Sequence, residues 1–459
     1  MLLRLAGLRF PFLETATADG MTWLRGKVLS TKASLRGPTG TTTATNCAVL
    51  AGAALAGIVS ARALGPAGRG QLAIAGLWPA MILTVGSLGL QSSCSYHFAQ
   101  WPTRRTALLR WLRLGIALQA LAMTAVSMLI LWVLWLDLRV GLLLAIEFST
   151  WAAAATISLY GACCAQGSSD FARFNMFRII PGAGPAVLML ACAAALRLTP
   201  AEAGAAYVIP TWCSAVLAIK WLRDARNGDS AEPLTPHERH SVLSYGWRSV
   251  ASLSGLTLNQ NADQLVLSIV VPASSLGIYS AASSAPSVLP SLVASIGMVG
   301  LPRVAALTGE EKRVATRRAM LHATCAVVLI SPILAILLPW AIPFVYGMRY
   351  SGAVVPAEIL LIGTVFSALT VVTDDLLRGH GHPGFVSISQ GAGGVITGVG
   401  TLLLGGHPLS AVSAASSLGF VVAFMLAFAR LRAATRRHYD PKHSTSRPGP
   451  EALAPIARP

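Results

Sequence analysis

Apolar runs of about 20 residues recur along the whole chain, each long enough as a helix to cross roughly 30 Å of hydrocarbon. Twelve can be drawn, at 42–61, 70–93, 112–135, 140–163, 176–196, 202–222, 245–270, 277–300, 319–345, 353–376, 384–404 and 408–430. They predict an all-α, polytopic membrane protein. Composition agrees. Mean hydropathy is +0.63 and only 12% of residues are charged, where a soluble domain has about a quarter.

The polar positions between the runs carry the topology. Cytoplasmic loops hold the excess of Lys and Arg, and an inside N-terminus puts roughly 30 of the 35 basic residues on that face. The opposite orientation would send nearly all of them outside, so both termini are expected in the cytoplasm. Outer loops keep Arg62 and Arg69 in the first hairpin, then Arg139, Arg197 and Arg349. The net charge of +17 is therefore a matter of topology. Nucleic acid is not the expected partner, because its binders gather charge on one aqueous face. Residues 1–40 read as a basic cytoplasmic tail without the cleavage site of a signal peptide. Residues 431–459 read as a second basic, disordered tail.

The chain is expected to be a duplication. The stretch 61–90, ARALGPAGRGQLAIAGLWPAMILTVGSLGL, has an echo about 207 residues later. Val271-Pro272-Ala273 leads through Gly277 into Ala285-Pro286, as Gly65-Pro66-Ala67 leads through Gly70 into Trp78-Pro79. The polar connection at 223–244 then separates an N-lobe, 41–222, from a C-lobe, 245–430, with six runs in each. An even number of crossings per half makes the repeats parallel, related by an axis along the membrane normal.

Polar groups inside the bilayer mark a pathway or a partner. The densest set is Asn259-Gln260-Asn261-Ala262-Asp263-Gln264 in the seventh run. Asn259 and Asp263 share one helix face, as do Gln260 and Gln264. They are expected to line a water-filled cavity, against the alternative of hydrogen bonding between helices. Asn46, beside Thr42 and Thr45, is the counterpart in the first run. Asp263 and Glu147 are the carboxylates considered for coupling to H+ or Na+, while Asp374-Asp375 beside Arg378 read as an interfacial ion pair. Arg62 and Arg69 could grip phosphate bidentately, or snorkel to lipid headgroups. The seven cysteines all fall in apolar segments and read as packing residues. No metal site or cofactor is expected. The sequence lacks a G-x-x-x-x-G-K-[ST] phosphate loop, and no long outer loop offers a place for an enzyme's acid and base.

The run A-R-A-L-G-P-A-G-R-G-Q-L-A through S-L-G-L, with N-A-D-Q-L-V-L-S-I-V-V-P-A-S-S-L-G-I-Y-S-A-A, L-P-R-V-A and L-L-R-G-H-G-H-P-G later, resembles the bacterial polysaccharide flippase family. These are Wzx-type exporters of lipid-linked oligosaccharides, within a superfamily that includes multidrug and toxin extrusion (MATE) transporters and lipid II flippases. The resemblance implies a MATE-like V of two six-helix lobes and alternating access in the bacterial inner membrane. The cargo would be a polyprenyl-pyrophosphate-linked oligosaccharide, with membrane lipids and the polysaccharide polymerisation machinery as partners. By position it implies Arg62 and Arg69 for the phosphate or sugar path, and Asp263 with Asn259 for the cavity or a coupling ion. The first run lacks the carboxylate of cation-coupled drug exporters, which counts against that alternative. Twelve runs rather than fourteen count against lipid II. A membrane enzyme acting on lipid-linked sugars is the remaining alternative.

Overall fold

The computed structural model describes residues 38–137, 139–195, 198–226 and 232–437. Most of both expected tails, and positions 227–231 of the expected linker, lie outside them. The described residues form α-helices with two short 3-10 turns and no strand.

The first helix, α1 (Pro38–Gly86), is a hairpin with two arms. Its corner is Gly65, at φ 66° and ψ −176°, a conformation that any side chain would strain. Pro66 follows and removes a backbone donor. The Arg69 guanidinium bonds the carbonyl of Gly57, 12 positions earlier. Along a straight helix those residues would stand about 18 Å apart, so the arms lie side by side. The loop expected between 61 and 70 is thus a corner. The second arm ends at Leu88 and Gly89, both with positive φ, and α2 (Leu90–Gln100) completes the crossing.

The N-lobe continues with α3 (Arg105–Leu136), α4 (Leu142–Gly167), α5 (Phe171–Ala195) and α6 (Pro200–Arg226). The C-lobe repeats the plan: α7 (Pro236–Val270), then α8 (Ala273–Ser284) and α9 (Val288–Ala306), which together make one crossing bent by 41°. It ends with α10 (Gly309–Tyr346), α11 (Val354–Gly379), α12 (Pro383–Leu404) and α13 (Leu409–Arg437). The chain therefore passes twelve times along the bundle. Among the described residues nine helices are long and apolar enough to span a membrane, ten with the α8–α9 pair. That number counts α1 once and omits α7, whose middle carries the polar run from Asn259 to Gln264.

Helices in lipid gain little by hiding apolar surface from one another, so they pack through small residues. A Cβ on Gly363 of α11 would come within 2.6 Å of Ser417 Cα in α13, and one on Gly52 of α1 within 2.6 Å of Ala183 Cα in α5. The closest approach lies between the lobes. A Cβ on Gly70 would run into the Ala273 carbonyl oxygen, and one on Gly277 into the Pro66 carbonyl oxygen. These two contacts interchange under a shift of 207 positions, as residues do across a two-fold axis. The echo in the sequence is a pair of matched surfaces meeting each other.

At the other end of the bundle the expected linker is largely helical. α7 starts inside a capping box, in which the Thr235 hydroxyl accepts from the Glu238 N–H at 3.2 Å and the Glu238 carboxylate accepts from the Thr235 N–H at 2.7 Å. Leu234 and Val242 then pack with Cys94, Phe98, Leu108 and Leu112 of the N-lobe. Ser93 Oγ donates to the Val242 carbonyl at 2.7 Å.

Candidate functional site

A cavity of about 1030 Å³ lies between the lobes. Its N-lobe wall comes from both arms of α1, from α4 and from α6. The wall is apolar and aromatic, with Leu50, Ala54, Leu72, Phe148, Trp151 and Tyr207. Its C-lobe wall has two parts: α10 brings an apolar face, with Leu334, Leu338, Ile342 and Tyr346, and α8 and α9 bring a hydroxylic one. Ser280, Ser283 and Ser284 of α8, then Ser287 and Ser291 at the start of α9, recur about a turn apart, with Ser283 and Ser284 adjacent, and line the same space. Gln264 of α7 joins them, its Nε2 donating to Ser283 Oγ at 3.4 Å. Ser287 and Ser291 each donate to a carbonyl one turn back, at 2.7 and 3.2 Å. Their oxygen lone pairs are left to accept from a ligand. Ser295, one turn further, lines a second groove of about 1000 Å³ between α9 and α10.

Among the described residues Arg69 is the charged one lining the main cavity, and no carboxylate lines it. It sits at the cavity's closed end and is 9% exposed. Nη1 donates to the Gly57 carbonyl, and to Ser60 Oγ at 3.1 Å, both on the first arm of α1. Nε crosses to the C-lobe and donates to Ser280 Oγ at 3.1 Å. The guanidinium also lies 5.5 Å from the ring centre of Tyr346, within reach of a cation–π contact.

Further bonds close that end. Arg62 Nε donates to the Val345 carbonyl at 2.8 Å and Nη2 to that of Phe344. Arg139 Nη1 donates to the carbonyls of Ser268 and Val271, at 3.1 and 2.9 Å. Both arginines thus cap the last turn of a C-lobe helix, where carbonyls lack partners and the helix dipole favours a cation. Tyr350 Oη donates to the Ala61 carbonyl at 3.2 Å. Away from this end the walls separate: Leu50 and Leu292 are more than half exposed, whereas Ser280 is buried.

The structure disperses the other residues singled out in the sequence. Asn259 and Asp263 are buried inside the C-lobe and are not on the cavity wall. Asp263 accepts from Tyr279 Oη at 2.6 Å, Ser416 Oγ at 3.0 Å and the Gln264 N–H at 2.7 Å, joining α7, α8 and α13. Asn259 donates to Gln390 Oε1 at 2.6 Å, and Gln390 donates to Asp374 Oδ2 at 2.7 Å. Gln260 is exposed and off the cavity wall. Only Gln264 of that run reaches the cavity. Arg62 lies outside it, at the closure. Glu147 is half-buried in α4 against Gly204 of α6, with Oε2 unpaired. Asn46 is half-buried in the first arm of α1, with Oδ1 unpaired.

Asp374 corrects one expectation. Asp375 does pair with Arg378 at 3.2 Å, but Asp374 is 4% exposed and belongs to the C-lobe interior. Four further elements were not singled out in the sequence: the serine face, the Asp374–Gln390–Asn259 chain, Arg139 as a closure and Tyr279. The serine spacing was the one readable signal.

Two packed six-helix lobes around a central cavity make a multi-pass, all-α membrane protein with a MATE-like fold. Residues 43–308, more than half of the chain, match the family model described as polysaccharide biosynthesis protein, and the chain belongs to that family. Residues 250–396 also match the MatE model. No curated protein sequence matches the chain.

Among solved structures, one similar fold is the inward-facing conformation of a multidrug resistance MATE family transporter of the MOP superfamily. It is 13% identical, covers 86% of this chain and 95% of its own, and has a TM-score of 0.70. An outward-facing conformation of such a transporter is 15% identical, covers 88% and 97%, and has a TM-score of 0.57. A MOP superfamily transporter from Pyrococcus furiosus, noted for the reverse polarity of its binding pocket, is 15% identical over 88% and 97%, with a TM-score of 0.56. At these identities the likeness is one of fold.

Proposed function

We propose that this protein is a flippase. It carries a polyprenyl-pyrophosphate-linked oligosaccharide from the cytoplasmic to the outer leaflet of the bacterial inner membrane by alternating access, without covalent chemistry. The observation that carries this reading is the cavity's polarity among the described residues: one guanidinium, a row of serines, aromatic rings and no carboxylate. Such a lining suits a cargo with an anionic group and many hydroxyls. Guanidinium takes phosphate in bidentate fashion, the serine oxygens accept from sugar hydroxyls while their protons stay on backbone carbonyls, and aromatic rings offer flat apolar surface beside them. At about 1030 Å³ the cavity is as large as the biggest small-molecule sites, which reach about 1,000 Å³. The second groove, with Ser295 but also Glu310, Glu311 and Arg318 on its wall, is a separate site of different polarity.

The charge pattern orients the molecule. Arg104, Arg105, Arg223, Arg239, Lys312 and Arg313 cluster at the end remote from Gly65, which supports reading that end as cytoplasmic, with both termini on that side of the membrane. The Arg62–Tyr350 end is then outer and closed, with the cavity open towards the cytoplasm. A coupling ion, H+ or Na+, is assigned to the C-lobe interior at Asp263. Glu147, wedged against Gly204, is the less suitable of the two carboxylates. The MatE match over 250–396 favours a second reading, a cation-coupled exporter of amphipathic drugs, but the described lining offers a cationic drug only aromatic faces, beside the like charge of Arg69.

The test is a depletion strain in which lipid-linked oligosaccharide is measured separately in the two leaflets. Complete, undegraded intermediate accumulating on the cytoplasmic leaflet supports the flippase. Intermediate that reaches the outer leaflet at the normal level, together with new drug sensitivity, supports the exporter instead.

A further inference from the structure

Arg69 does two things at once: it is the cavity's cation, and it ties the lobes together at their closed end. We infer that it couples cargo binding to opening of that end, a step that rests on the proposed anionic cargo. The chemistry lies in which edge of the guanidinium is free. Its N-lobe side is fully used, with Nη1 donating to the Gly57 carbonyl and Ser60 Oγ. On the opposite edge Nε donates to Ser280 Oγ at 3.1 Å, and Nη2 makes no hydrogen bond within the described residues.

A phosphate that binds bidentately to a guanidinium needs two parallel N–H groups on one edge. The Nε–Nη2 edge supplies them at the loss of a single bond to a neutral acceptor, the one to Ser280. Using the Nη1 side would mean giving up a backbone carbonyl inside the N-lobe. A phosphate offers the guanidinium two parallel bonds to a charged acceptor where Ser280 offers one to a neutral hydroxyl, so the anion displaces Ser280 and leaves Arg69 anchored to α1. Ser280 then keeps its own bond to the Gly277 carbonyl at 3.0 Å. The lobes lose the tether that runs through the cavity, while the Arg62, Arg139 and Tyr350 bonds outside it remain to be broken by lobe motion.

The experiment uses the full chain in lipid nanodiscs, with its native cysteines replaced. Nitroxide labels are placed at Ala67→Cys and Met348→Cys, two exposed positions on opposite lobes at the closed end. Inorganic pyrophosphate is the probe. With Arg69 and Ser280 intact, pyrophosphate is expected to raise the population of wide separations about fivefold, the equivalent of one hydrogen bond. Ser280→Ala should show that raised population without pyrophosphate, change by less than about twofold when it is added, and bind it about fivefold more tightly in calorimetry, because coupling is reciprocal. Pyrophosphate that binds the parent protein without moving the labels overturns the coupling and leaves the cargo reading intact. Pyrophosphate that fails to bind the parent protein removes Arg69 as an anion site and overturns the inference. The leaflet assay on the depletion strain then judges the cargo reading separately.

Discussion

The two lobes share a plan but not a chemistry. In the N-lobe the described interior polar groups are mostly hydroxyls and amides, with the His97 imidazole, Arg69 and the half-buried Glu147 beside them: Ser158 meets Ser214 at 2.6 Å, and Tyr160 donates to Gln119 at 2.7 Å. The C-lobe interior holds two buried carboxylates, Asp263 and Asp374, each in its own hydrogen-bonded chain. The cavity walls diverge in the same way. The N-lobe offers three rings and one guanidinium, the C-lobe a row of serines beside the apolar face of α10 and its Tyr346. A duplicated half is thus free to specialise as long as the meeting surface is kept, and that surface, Gly70 against Ala273 and Gly277 against Pro66, has kept its two-fold match. We read the N-lobe as the side that holds the cargo's anion and the C-lobe as the side that senses an ion and guides the sugar.

The comparison breaks most severely at the shared surface. Gly277→Ala puts a methyl group against the Pro66 carbonyl, and overpacking of this kind costs about 1–3 kcal/mol. The closed outer end should be lost first, so cysteine reagents from outside should label the cavity while transport falls by about two orders of magnitude at the upper end of that cost. Gly70→Ala should match it, since the two sites are equivalent. Unequal effects would show that the symmetry of the contact has no mechanical role.

Next in size is the N-lobe cation. Arg69→Gln keeps hydrogen-bonding capacity but loses the charge, and transport should drop by about 10- to 100-fold, the worth of a hydrogen bond to a charged group. Protein level in the membrane should not change. A normal transport rate in this variant would separate the cation from the cargo. Asp263→Asn sharpens the contrast from the C-lobe side. Asn can still accept from Tyr279, so the helix junction should survive while coupled transport falls by about tenfold, with the dependence on H+ or Na+ abolished. Retained ion dependence would move the coupling site elsewhere, with Asp374 the next carboxylate to test. The smallest effect belongs to the serine wall. Ser287→Ala with Ser291→Ala should slow transport by about two- to tenfold, as expected for a few neutral hydrogen bonds. Leu50→Ala on the facing wall should leave the rate within about twofold, because an exposed side chain there gives up little packing.

Much of this design is legible before any coordinates. Twelve crossings follow from the length of the apolar runs, and the duplication from the Gly-Pro stretch and its echo. Arg69 follows from being a cation in a nearly bare outer hairpin. The side towards which α7 turns its polar residues does not follow. Periodicity shows that Asn259 and Asp263 share a face, but a helix surrounded by protein on most sides can direct that face into its own lobe, and only the positions of Tyr279, Ser416 and Gln390 decide it. Arg62 misleads for a related reason. Its sequence context is a loop in reach of cargo, yet its partners are the carbonyls at the end of α10, about 280 residues away in sequence. The serine face is visible as spacing, but in a membrane helix serine is also an ordinary packing residue, so spacing alone gave it no weight. Asp374 was hidden by Asp375 beside it, which does form the expected ion pair.

The central claim is that this cavity carries an anionic, sugar-bearing lipid, and reconstitution tests it most directly. Purified protein in sealed vesicles would be given polyprenyl-pyrophosphate-linked oligosaccharide on one face, and an impermeant glycosidase would report its arrival on the other. The account predicts that vesicles with the intact protein expose the saccharide, that empty vesicles do not, and that Arg69→Gln slows exposure about 10- to 100-fold. Saccharide that stays protected in vesicles that nevertheless expel a cationic amphiphile would contradict it.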